Sequence, residues 1–180
     1  MIIFVCGITC SGKDTICEHF ANLGNGVIQV GKELRRRHPA AYFEGLGAMQ
    51  KTEDEAWDIF SQQYKSQYYK EKIFVSGQPR LRTQVRVCNG FAPLRAKHYI
   101  FIDVDDNVAI DRIHKRFTIE QDRDLAHARL KNDKVQCYEV IMGLVDFTDH
   151  VYVVKNNGKL QDCLDKINVY INKFMECKDV

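Results

Sequence analysis

The sequence predicts an α/β fold: a five-stranded parallel sheet covered on both faces by helices, three layers in all. Three observations predict it. Short apolar runs alternate with helix-like stretches five times along the chain. The runs are continuously apolar instead of alternating with polar residues, the pattern of strands buried on both faces. A glycine-rich stretch joins the first run to the first helix, a strand-to-helix turn.

The elements follow in order. Residues 2–6 (IIFVC) form the first strand and residues 7–12 the glycine-rich stretch. Lys13 to Leu23 is a helix with Ile16, Phe20 and Leu23 on one face. Residues 27–30 (VIQV) are a second strand, and Gly31 to Arg37 a helix that stops before Pro39. Residues 41–52 contain glycine and read as irregular. From Glu53 to Tyr69, helical spacing of Trp57, Phe60, Tyr64 and Tyr68 predicts a core-facing aromatic stripe. Residues 73–76 (IFVS) are the third strand, ended by Gly77-Gln78-Pro79, and a helix covers about 80–88. Residues 98–103 (HYIFID) are the fourth strand and 106–116 a helix. A charged segment, 117–124, leads to a helix over about 125–145. Residues 150–154 (HVYVV) are the fifth strand, Asn156-Asn157-Gly158 a turn, and Lys159 to Phe174 the closing helix.

Composition narrows the function class. The 180 residues suit one domain, 1–180, with a core of its own. Hydrophobic residues make up 45% and charged residues 28%, which excludes a disordered chain or a coiled coil. No apolar run approaches the ~20 residues of a membrane helix, so no membrane partner is expected. The net charge of +2 is too small to argue for nucleic acid. Seven cysteines, an odd number without a CxxC pair, point to free thiols and a cytoplasmic setting. All eleven arginines lie between Arg35 and Arg129. Arginine makes the planar, bidentate contacts that suit phosphate.

The sharpest motif is Gly7-Ile8-Thr9-Cys10-Ser11-Gly12-Lys13-Asp14-Thr15, a GxxxxGK pattern between strand and helix. Such a loop turns backbone N–H groups onto phosphate oxygens, and the helix N-terminus adds its dipole. Lys13 reaches the terminal phosphates, and Thr15 is placed for the α-phosphate. Asp14 stands where a Ser or Thr usually reaches magnesium. A carboxylate beside a polyphosphate needs a cation between them, making Asp14 a candidate magnesium ligand, direct or through water. The alternative is a carboxylate stabilised by the helix dipole. No NKxD-like guanine signature is present.

With these residues the chain resembles the adenylate-kinase-like nucleoside monophosphate kinases, of a short-lid type. GITCSGKDT is similar to the family's GxPGSGKGT, and Gln29-Val30-Gly31-Lys32-Glu33-Leu34-Arg35 to its STGDLLR. Ser76-Gly77-Gln78-Pro79-Arg80 through Gln84 resembles DGFPRxxxQ. Phe101-Ile102-Asp103 leading to Arg112-Ile113 and Arg116 resembles the strand and helix that follow, and Arg129-Leu130 with Tyr138 the RLxxY region. The resemblance implies transfer of a phosphoryl group from ATP, with Mg²⁺ as cofactor, to a (deoxy)nucleoside monophosphate. It implies a monomer or weak homo-oligomer. An acceptor-binding insertion is expected at about 31–70 and a short lid at about 117–124.

The resemblance also implies residue roles. ATP would meet Gly7, Thr9, Cys10, Ser11, Gly12, Lys13, Asp14, Thr15 and Arg112. The acceptor would meet Gly31, Arg35, Gly77, Arg80 and Gln84, with Gln84 on the base. Lys13, Arg80, Arg112, Arg116 and Arg129 would be catalytic, and Asp14 the metal ligand. Three departures stand out. Ser76 replaces the family's aspartate, which Asp14 would compensate. Asp122-Arg123-Asp124 lies closer to Arg129 than the family lid places it. Val30 and Lys32 replace the threonine and aspartate of the acceptor loop. The GKD form also resembles phage deoxynucleoside monophosphate kinases and animal phosphomevalonate kinases, and the C-terminal stretch dephospho-coenzyme A kinase. A kinase of another phosphorylated metabolite, or a non-catalytic nucleotide-binding module, are the alternatives.

Overall fold

The computed structural model describes residues 1–38, 53–145 and 150–176. In order they form β1 (Ile2–Gly7), α1 (Lys13–Asn22), β2 (Gly26–Ile28), α2 (Val30–Arg37), α3 (Glu53–Lys65), β3 (Ile73–Ser76), α4 (Arg82–Gly90), β4 (Lys97–Asp103), α5 (Asp106–Arg116), α6 (Glu120–Val145), β5 (Val151–Lys155) and α7 (Leu160–Glu176). The five strands pair in parallel in the order β2-β3-β1-β4-β5. β1 is central, with Val5 opposite Ser76 on one side and Gly7 opposite Ile102 on the other. The loop after β1 thus opens at the carboxyl edge of the sheet between two neighbours, the place where ligands bind in such sheets.

The continuous apolar strands have the cause expected. Ile3 and Val5 point into one core with Ile16 and Phe20 of α1, Ile113 of α5 and Ile167 of α7. Ile2, Phe4 and Cys6 point into the other with Ile59 and Phe60 of α3 and Val85 of α4. Each buried Ile or Phe contributes roughly 1.5–3 kcal/mol. Phe20 of α1 stacks on Phe74 of β3 at 4.2 Å and ties helix to sheet, while Phe4 stacks on its cross-strand neighbour Tyr99 at 4.9 Å.

Several boundaries differ from expectation, each for a local reason. β2 ends at Ile28, because the Gln29 carbonyl accepts the N–H groups of Lys32 and Glu33 and starts α2 at Val30. α3 ends at Lys65, so Tyr68 leaves the stripe and is exposed, while Phe60 is buried. Leu23 lies past the end of α1 and is exposed; Cys17 takes its place in the core. β4 gains Lys97, while α4, β5 and α7 each start one or two residues later than read.

The expected lid at 117–124 is mostly helix. α6 begins at Glu120, leaving only Phe117 to Ile119 as a link. The N–H of Arg123 bonds the Ile119 carbonyl, and its Nε the Phe117 carbonyl at 2.8 Å, which closes the first turn. Much of the expected acceptor insertion, 39–52, lies outside the described residues, as do the irregular 41–52 and the end of α2's loop at Pro39.

α6 is the unusual element. Ala126 and Leu130 sit in the core shared with α1, whereas Val140 and Leu144 sit in the core shared with α3. The helix therefore passes from one face of the sheet to the other, across the edge where the glycine-rich loop lies. No helix among the described residues is long and apolar enough to cross a membrane.

Candidate functional site

The loop geometry requires its glycines. Gly7 has φ 150°, and a Cβ there would meet Ser11 Oγ at 2.7 Å and the Ile102 carbonyl at 2.8 Å. Gly12 has φ 93°, and a Cβ would meet the Asn156 side chain at 2.7 Å. Cys10 adopts φ 61°, a left-handed conformation with no glycine to relieve it. Helix α1 starts at Lys13 without a side-chain cap, so its first N–H groups face the loop.

Lys13 folds back over this loop, and its Nζ donates to the Ile8 carbonyl at 3.1 Å. Burial pushes its ammonium below the ordinary lysine range, with Arg80 adding to the effect and Asp14 opposing it. Gly77 lies against the lysine stem, since a Cβ there would stand 3.5 Å from Lys13 Cε. Arg80 follows the Gln78–Pro79 cis peptide and shares a small cavity with Gly7, Gly77 and Asp133.

Asp14 ties two elements to the loop. The Ser76 hydroxyl donates to its Oδ1, and Arg35 donates to Oδ2 at 3.3 Å. Partial burial of the carboxyl alone would raise its pKa. Lys13, the Ser76 hydroxyl, Arg35 and Arg116 outweigh that and hold it below the usual range. Gly31 leaves room for Arg35, whose Nη1 would lie 3.4 Å from a Cβ. The two sequence departures, Asp14 and Ser76, are thus in direct contact. Asp14 and Thr15 are the oxygen donors at the loop's helix turn, and the depressed carboxyl is of the kind that suits magnesium.

On the other side of Lys13 a cleft of about 330 Å³ is lined by Gly12, Asp14, Thr15, Arg112, Arg116 and the 156–160 turn. Arg112 is engaged with the framework: it donates to the carbonyls of Cys10 at 3.3 Å, Ser11 at 3.5 Å and Asn156 at 2.8 Å. Arg116 is exposed at the same cleft. Asn156, Gly158 and Leu160 also line the cleft; the sequence predicts a turn and a helix start there and assigns them no contact with ATP. Asn156 also donates its Nδ2 to the Ser11 carbonyl at 2.8 Å.

Two expected residues sit differently. Gln84 accepts the N–H of Arg80 at 2.9 Å and of Leu81 at 3.3 Å through Oε1. That carboxamide oxygen caps α4. Arg129 lies 3.9 Å from Asp133, one turn along α6. Asp133 is buried and accepts both the N–H and the hydroxyl of Thr9, at 2.7 and 2.6 Å. No motif signalled Asp133; its i, i+4 spacing from Arg129 is the one clue in the sequence.

No protein-family model matches the chain, and no curated protein matches its sequence. Solved structures do match in fold. A gluconokinase from Sinorhizobium meliloti 1021 superposes with a TM-score of 0.65 at 18% identity, covering 97% of this chain and 93% of that one. A shikimate kinase from Acinetobacter baumannii, in complex with shikimate, has a TM-score of 0.61 at 16% identity, covering 96% of this chain and 93% of that one. Neither is a nucleoside monophosphate kinase. At these identities the likeness is one of fold: this chain has a three-layer α/β fold with a five-stranded parallel sheet, similar to the folds of those two kinases.

Proposed function

We propose that the chain is a single-domain, ATP-dependent phosphotransferase whose acceptor is a (deoxy)nucleoside monophosphate. The observation that carries the reading is the division of cations about Lys13. Arg112 and Arg116 border the cleft on one side, while Arg35 lies against Asp14 and Arg80 beside Gly77 on the other. Cations grouped around the loop lysine, two at the cleft and two beside Asp14 and Gly77, suit two anionic reactants placed end to end. Transfer between them needs positioning and charge neutralisation and no covalent intermediate.

In this reading the loop N–H groups and Lys13 hold the donor's terminal phosphates, and Lys13 follows the moving phosphoryl group. Arg116 neutralises charge that develops on it. Arg112 keeps the loop carbonyls turned away from the phosphates. Arg35 and Arg80 hold the acceptor phosphate, and Arg129, through Asp133, steadies the loop. Asp14 would hold magnesium, direct or through water, and Thr15 lies beside the α-phosphate. When bound, magnesium supplies charge that lets the two anions approach. The free thiols of all six described cysteines support a cytoplasmic setting.

A second reading, a kinase of another small metabolite, is favoured by the folds it resembles and by Gln84, whose oxygen is engaged in capping α4. A coupled ADP-release assay decides. ATP, magnesium and a panel of nucleoside monophosphates, gluconate, shikimate and dephospho-coenzyme A are offered in turn. Turnover with a monophosphate is expected. Turnover only with another acceptor supports the second reading, and ATP binding without any turnover overturns both.

A further inference from the structure

Away from the cleft, two histidines on consecutive helices meet. His114 of α5 and His127 of α6 place their Nε2 atoms 3.1 Å apart, with ring centroids at 5.3 Å. The helices run antiparallel here, because Asp106 near the start of α5 pairs with Lys134 further along α6. His114 is exposed and His127 half-buried, so the meeting point is open to solvent. Each histidine also follows an aspartate by three positions: Asp111-Arg-Ile-His114 and Asp124-Leu-Ala-His127. Residues three apart share a helix face, so each imidazole has a carboxylate one turn away.

The geometry points to a two-imidazole site for a borderline divalent cation of the zinc, nickel or copper class. Two imidazole nitrogens on one tetrahedral zinc, each at about 2.0–2.1 Å, stand about 3.3 Å apart. The observed separation falls short of this by a shift that side-chain rotation supplies. In the neutral pair a single N–H···N hydrogen bond joins the rings, with one Nε2 donating and the other accepting. On binding, that proton moves through solvent to Nδ1 of the same ring, and both Nε2 lone pairs turn to the ion. Imidazole is the ligand such cations favour, whereas magnesium and calcium prefer oxygen. No third His, Cys, Asp or Glu completes a ligand group among the described residues. Water would fill the remaining positions, with Asp111 and Asp124 supplying negative charge and outer hydrogen bonds.

The site's position gives it a consequence. It bridges α5, which carries Arg112 and Arg116, to α6, which carries Arg129 and Asp133, across the short link from Phe117 to Ile119. A bound ion staples the two helices together.

The test is titration of the full chain with Ni²⁺, which leaves the proposed phosphotransfer untouched as a question. Wild type, His114→Ala, His127→Ala and the control His19→Ala are compared, with circular dichroism to check folding and His114→Gln as a second variant. Wild type and His19→Ala are expected to bind one ion per chain saturably, with a raised unfolding temperature. The other variants bind at least tenfold more weakly and show no such rise. Equal affinity in either alanine variant, or no saturable site in the wild type, overturns the proposal.

Discussion

Asp133 of α6 receives two hydrogen bonds from Thr9 in the glycine-rich loop, one from the backbone N–H at 2.7 Å and one from the hydroxyl at 2.6 Å. The carboxylate is buried, and Arg129 is its neighbour at 3.9 Å. A helix that crosses the sheet edge thereby holds the loop's shape from outside. Hydrogen bonds to a buried charged group are each worth about 1.5–3 kcal/mol. Asp133→Ala is expected to lower the unfolding free energy by about 2–4 kcal/mol and to weaken ATP binding at least tenfold. Asp133→Asn, which keeps an accepting oxygen, falls between. Urea denaturation and calorimetric ATP titration check both. Wild-type ATP affinity in Asp133→Ala would show that the loop holds its shape unaided.

The two arginines of α5 are expected to separate structure from rate. Arg112 is bonded to three framework carbonyls, whereas Arg116 is exposed at the cleft. Arg112→Ala should reduce stability by about 1–3 kcal/mol. Arg116→Ala should leave stability within about 0.5 kcal/mol and reduce turnover about 10³-fold or more. Lys13→Met is expected to lose turnover on at least the same scale. Equal stability losses for Arg112→Ala and Arg116→Ala would remove the distinction.

Asp14 and Ser76 form a unit that links α1 to β3. Asp14→Ala should shift the magnesium dependence of activity to higher concentration. Asp14→Thr combined with Ser76→Asp returns a carboxylate to the same junction and should recover part of the loss. The pH dependence has a definite sign. A carboxyl held below its unfolded value of 3.8 stabilises the fold fully above that pH, and the contribution is lost as pH falls through the folded value. The stability gap between wild type and Asp14→Asn should therefore close on acidification below about pH 4. A gap unchanged into acid would exclude the carboxylate's interactions with Lys13, Ser76 and Arg35 as its source.

Cys10 is the strained residue of the loop, with φ 61°. A left-handed non-glycine residue costs roughly 1–2 kcal/mol, partly offset by glycine's larger unfolded-state entropy. Cys10→Gly should raise stability by about 0.5–1 kcal/mol, read as a higher denaturation midpoint. The thiol itself is half-exposed, unlike Cys6, Cys17, Cys88 and Cys163. Burial pushes Cys137 up to about 11 and Cys88 to about 12. Among the described cysteines, Cys10 should be alkylated first at pH 8, and ATP should slow it.

What the sequence determined by itself was whatever is encoded over a few neighbouring residues. The run from Gly7 to Thr15 specifies its own turn, because glycines at Gly7 and Gly12 permit the positive φ values the loop needs. Apolar runs specify the strands: β1, β3 and β4 are apolar without alternation because both their faces are buried, whereas β5 at the sheet edge leaves Val153 exposed. The helix 106–116 and its two arginines were legible for the same reason. Tertiary structure alone decided the rest. Thr9 and Asp133 are 124 positions apart, and no local pattern joins them. α6 serves two cores in succession, so its buried face changes along its length and no single apolar stripe marks its start. Gln84 and Arg129 occupy expected positions in the chain, yet Gln84 accepts from a helix N-terminus and Arg129 lies beside a buried carboxylate. A side chain's partner is set by which elements dock together, and docking follows from the whole core.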